Sequence, residues 1–156
     1  MNANVELLNY IYQNAEMGQD SIKKLLDILE NETNQEFKNM LKSQFKEYRD
    51  IFDKAEEKLN NFNKDAKGIN TWQKMETYLM ISMKTMKDKT PDNISEMLMQ
   101  GSVMGIIQIT RRLKLYKNKV ESEVYSLGEK LLATEERNLE ECKKFLGLEL
   151  EYAVKA

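Results

Sequence analysis

One proline, Pro91, and six glycines stand among 156 residues. Both residue types interrupt helices, proline by about 3 kcal/mol and glycine by about 1 kcal/mol relative to alanine. A chain this poor in them is free to form long, unbroken helices. The one proline itself marks a helix start. Thr90 can cap the first turn through its hydroxyl, and Pro91 fits the first helical position, where the N–H it lacks would go unpaired anyway. From there, residues 91–116 read as one helix and hold the most apolar stretch of the sequence.

At about 100° per residue, Ile94, Leu98, Gly101, Gly105, Ile109 and Arg112 share one face of this helix, and Met99, Val103, Ile106 and Ile107 lie roughly opposite. A helix apolar on both sides is expected to be buried on both sides, either among other helices or against a second subunit. Gly101 and Gly105, four residues apart, clear a patch for close helix packing. Glu96, Gln100, Gln108, Arg111 and Arg112 break the segment too often for a membrane span.

The remaining periodic stretches predict four more helices. Residues 4–30 carry Leu7, Leu8, Ile11, Ala15, Gly18, Ile22, Leu25 and Leu29 on one stripe. Residues 33–61 open on Thr33-Asn34-Gln35-Glu36, a capping-box pattern, and carry Phe37, Leu41, Phe45, Tyr48, Phe52, Ala55 and Leu59. Residues 70–88 start on a second such pattern, Asn70-Thr71-Trp72-Gln73, with Trp72, Met75, Leu79, Met83 and Met86 inward. Residues 120–146 carry Val124, Gly128, Leu131, Leu139, Cys142 and Leu146, with Gly147 as the stop. No linker is long or polar enough to divide the chain, so residues 1–156 read as one all-α domain, an antiparallel up-down four-helix bundle with a shorter extra helix at 70–88. The tail beyond Gly147 reads as a frayed helical end or a docked segment.

The sequence contains no histidine. That removes the Ser-His-Asp triad, the Cys-His pair and every histidine-ligated metal or haem. The single cysteine, Cys142, excludes an internal disulfide and suits a reducing, cytoplasmic setting, where it reads as a small buried hydrophobe. A net charge of −2 with the signs interspersed leaves no basic patch for nucleic acid. The first residues lack the basic-then-apolar pattern of a signal peptide.

Short turns make the first two helices antiparallel, and likewise the last two. Counting back from each turn places Asn14, Gln44, Tyr48, Ser102, Glu135 and Asn138 near one level, with Gln108 on the same helix as Ser102. This predicts a buried polar layer in mid-bundle. A carboxylate there needs partners, because an unpaired buried charge costs several kcal/mol. Tyr48, Gln44 and Arg112 are the candidates for Glu135.

Three stretches carry a family resemblance: the glycine-bearing helix at 7–26, FKEYRDIFDKAEEKL at 45–59, and the run from Trp72 to Leu113. Together they resemble small bacterial ferritin-like proteins of unknown function. The resemblance implies a four-helix bundle descended from carboxylate-bridged di-iron proteins, which use one glutamate from each of two helices and Glu-x-x-His from each of the other two. The matching positions here are Glu47-x-x-Asp50 and Glu135-x-x-Asn138, with histidine missing from both, and Ser102 stands where a bridging glutamate is implied. The resemblance therefore implies a degenerate metal site. The favoured reading has no cofactor and no catalysis. It is a bundle that acts by helical self-association as a homodimer through Met80, Ile81, Met99, Val103, Ile106 and Ile107. The alternative is an iron or manganese protein using Glu47 and Glu135 with Glu16, Glu96 or Glu136. A further alternative is an apolar small molecule held between the methionine-rich helices.

Overall fold

The structure, a computed structural model, describes residues 2–63, 82–84, 86 and 88–148. Among the described residues there are four long α-helices and no strand: α1 (Ala3–Ile28), α2 (Gln35–Asn61), α3 (Pro91–Tyr116) and α4 (Ser122–Lys143). None of them is long and apolar enough to cross a membrane. The helix expected at 70–88 lies mostly outside the described residues, as does the tail from 149. Of that helix, residues 82–84 are helical, Met83 is buried and Met86 is half-buried.

Each start has a local cause. The Asn2 side chain accepts from Asn4 N at 2.8 Å. Thr90 Oγ1 accepts from Asn93 N at 3.2 Å with Pro91 in the first turn, as the sequence predicts. The second start is a correction. Asn34, not Thr33, is the cap: its Oδ1 accepts from Phe37 N at 3.0 Å, and Glu32 in turn accepts from Asn34 N. Either residue carries a capping oxygen, and the chain uses the one that seats Phe37 fully in the core. Helix α4 ends at Lys143, three residues before the expected point. Gly147 follows in the left-handed region at φ 76° and closes the run of turns that ends the element.

Cross-helix contacts fix the direction of every helix. Tyr12 stacks on Phe52 at 4.4 Å, so α1 and α2 are antiparallel. Phe37 meets Phe145 at 5.1 Å, Glu47 pairs with Arg137 at 2.9 Å and Lys58 with Glu123 at 3.1 Å, so α2 and α4 are antiparallel. Tyr116 donates to Glu6 at 2.7 Å and Arg112 lies over the Tyr10 ring at 3.9 Å, so α1 and α3 are antiparallel. The chain therefore runs up, down, down, up. A simple alternation is excluded because α2 ends at one end of the bundle and α3 begins at the other. The core between them contains Leu7, Ile11, Leu41, Ile51, Ile109 and Leu131, all 0% exposed. Full burial of each such side chain contributes about 1.5–3 kcal/mol.

Candidate functional site

Halfway along the bundle all four helices turn polar side chains inward. Asn14 comes from α1, Gln44 and Tyr48 from α2, Ser102 from α3, and Glu135 and Asn138 from α4, and none is more than 6% exposed. This is the polar layer the sequence predicts, less one member. Asn14, Gln44, Tyr48, Ser102 and Glu135 line a small chamber of about 40 Å³. Ser21, Met17 and Leu98 also border it. Leu98 is on the face that helical spacing assigns inward, whereas Met17 and Ser21 were not singled out, because each sits on the edge of the inward stripe of α1.

Two glycines make this layer possible. A Cβ on Gly18 would stand 2.8 Å from the Tyr48 ring, and a Cβ on Gly105 would stand 3.1 Å from Glu135 Cδ. Both distances are inside ordinary contact, so the phenol and the carboxyl occupy space that any other residue would take.

Burial pushes the Glu135 carboxyl up to about 7, and the nearby Tyr48 and Ser102 hydroxyls offset part of that rise. Burial, and then the charge of Glu135, hold the Tyr48 phenol well above its ordinary range, so it stays a proton donor. Burial pushes the Cys142 thiol up to about 11, against the contact from Gln44 Nε2, which reaches Sγ at 3.9 Å. The thiol is therefore no nucleophile at neutral pH. Asn14 donates through Nδ2 to the Tyr10 hydroxyl at 3.3 Å, and its Oδ1 has no hydrogen-bond partner. The Asn138 amide lies beside the Tyr48 hydroxyl without closing a hydrogen bond, and neither of its polar atoms is partnered. Buried polar atoms without partners are rare enough that each calls for an explanation.

Other candidate residues lie elsewhere. Gln108 is half-buried and accepts from Arg112 at 2.9 Å, so it stands outside the layer. Arg112 is thereby occupied with Gln108 and the Tyr10 ring and makes no bond to Glu135. The five glutamates do not converge. Glu135 faces the chamber, Glu47 pairs with Arg137 on the flank, Glu16 is half-buried on α1, and Glu96 and Glu136 are exposed. Among the described residues no three acidic or cysteine side chains come close enough to hold a metal ion. A di-iron or di-manganese centre needs several carboxylates to balance its charge. With one carboxyl in the chamber and Glu47 held by an arginine, these residues do not fit such a group.

The second apolar side of α3 is not covered as the two-sided pattern predicts. Val103 is 42% exposed, Met104 41% and Ile107 44%, and Met99 and Ile106 are half-buried beside them. Met104, which falls between the two apolar faces in the periodic reading, belongs to this open side. Between α3 and the end of α4 the surface dips into an apolar groove of about 560 Å³ bordered by Met99, Val103, Met104, Leu139 and Leu146. Met80 and Ile81, also expected at an interface, lie outside the described residues.

No family model matches the chain, and neither a curated protein nor a solved structure matches it.

Proposed function

We propose that the chain is a non-catalytic, ferritin-like helical bundle that works by self-association, with the outward side of α3 as its dimer contact. The carrying observation is the row of large apolar side chains, Val103, Met104 and Ile107, left open to water in mid-helix. Contiguous apolar surface of this kind marks interaction sites on soluble proteins. The ferritin-like part of the reading draws on the helix directions. Up, down, down, up with one long crossover is the arrangement of ferritin-like bundles. The buried thiol suits a cytoplasmic setting.

Charge selects a second copy as the partner. Glu96 and Arg111 are both exposed and share the stripe with Val103 and Ile107. They lie equally far from the midpoint between Val103 and Met104. Two copies of α3 crossed antiparallel at that midpoint bring Glu96 of one beside Arg111 of the other, twice. The groove on the α4 side receives the partner's Met104. Acidic-first, basic-last placement also suits the helix dipole, so a charge swap is the test rather than the placement itself. Reversing Glu96 alone (Glu96→Arg) or Arg111 alone (Arg111→Glu) weakens the dimer about tenfold, and the double swap restores it. Light scattering across a dilution series reads the outcome. No rescue in the double variant overturns the antiparallel dimer.

One observation favours a second reading. The groove's volume falls in the range of small-molecule sites, and its border is mainly methionine, leucine and valine, with Glu96 and Gln100 as its polar members. An apolar compound released on denaturing a monomeric preparation would favour that reading.

A further inference from the structure

The apolar groove between α3 and the end of α4 is uncovered among the described residues, and the chain itself arrives at its rim. Leu146 is 40% exposed and borders the groove with Leu139, Met99, Val103 and Met104. Gly147 then turns through the left-handed region at φ 76°, a move that lets a chain leave a helix in a new direction. Leu148 follows and packs against the core. The described chain therefore stops at the edge of the groove. Residues 149–156 come next and read ELEYAVKA. Leu150, Ala153 and Val154 are spaced three and four apart, so at helical spacing they share one side, with Glu151 and Lys155 on the other. The length also fits. Residues 96–104 of α3 span about 12 Å at about 1.5 Å per residue. Residues 149–156 cover about 12 Å as a helix and about 26 Å extended.

We propose that the groove is the seat of the chain's own C-terminal segment, residues 149–156, held through Leu150, Ala153 and Val154, and that this seat restrains self-association. The second clause rests on the association reading, in which the partner's Met104 needs the same groove. Continuity selects this occupant. A second copy or a free apolar compound loses translational and rotational freedom on binding, whereas a segment tethered at the rim has an effective concentration on the order of millimolar there. A contact too weak to hold a free peptide can therefore keep the groove filled. A symmetric dimer must empty two such seats, so weakening the seat tightens the dimer.

The test uses the full chain with Leu150→Glu and Val154→Glu combined, which places charge on the segment's apolar side. The first readout is the methyl NMR signals of Met99 and Met104, taken in an Ile107→Glu background to keep the protein monomeric. Both signals are expected to move with the segment variant, while those of Met17 and Met40, away from the groove, stay in place. The second readout is light scattering across a dilution series without Ile107→Glu, where the segment variant is expected to dimerise at least about tenfold more tightly than the parent. Unmoved Met99 and Met104 signals overturn the proposal and leave the groove to a second copy or an apolar compound. A dimer that the segment variant leaves unchanged overturns the restraint. A dimer that it weakens overturns the proposal by placing the segment in the partner's groove. Monomers throughout, with the methyl shift intact, support the seat and sink the association reading instead, so the two failures are told apart.

Discussion

The two sides of α3 differ in a direction opposite to that of an ordinary surface helix. In mid-helix the inward side carries Ser102 and Gly105, packed against a buried carboxyl, and the outward side carries Val103, Met104 and Ile107, open to water. Toward the ends the usual order returns, with Ile94 and Ile109 fully inside. Local reversals of this sort cost stability on both sides, and proteins keep them where a site is needed. The inner reversal makes room for Glu135, and the outer one leaves apolar side chains open to water. Changes on either side should therefore have separate effects.

That separation can be broken or sharpened by substitution. The largest effect belongs to the interior. Gly18→Val drives a side chain into the Tyr48 ring, where even a Cβ would stand at 2.8 Å, and is expected to cost about 3 kcal/mol in urea unfolding. Glu135→Gln comes next, and its sign depends on pH. The carboxyl is raised from 4.5 to about 7 in the fold. Below about pH 4.5 it is protonated in both states and its contribution is fully present. As pH rises toward 7 the unfolded chain ionises first, and stability falls by up to about 3 kcal/mol. Unfolding series from about pH 4 to 8 should show this decline in the parent and a much flatter response in the variant, which is then about 2 kcal/mol the more stable at pH 8. Ile109→Val on the inner side should cost about 1 kcal/mol. Val103→Ser on the outer side, measured at low protein concentration, should change unfolding by less than about 0.5 kcal/mol. Equal losses at Ile109 and Val103 would mean that the outer side is covered within one chain.

Much of this arrangement is legible in the residues. Thr90-Pro91 marks its helix start to the residue because cap and proline agree. Thr33 misled because the adjacent Asn34 offers a capping oxygen at the right distance from Phe37 N. The polar layer was readable from level-counting across two short turns, which is local geometry. Gln108 was misplaced because its nearest partner, Arg112, lies one turn along the same helix and draws it to the flank. Helix direction beyond the two hairpins could not be read, since it depends on where the chain from 62 to 90 delivers α3. Nor could periodicity say which of two apolar sides of α3 would be covered. That depends on how many neighbours reach the helix, a property of the whole bundle.

The central claim is that the outward side of α3 is a contact surface between two copies of the chain. Light scattering at high micromolar concentration, on the parent and on Ile107→Glu, tests it most directly. The parent should have twice the mass of the chain. The variant should have the single mass, with dimer affinity lowered at least about a hundredfold and helical content unchanged. A parent protein that stays monomeric at that concentration, or a variant that dimerises as well as the parent, would contradict the claim.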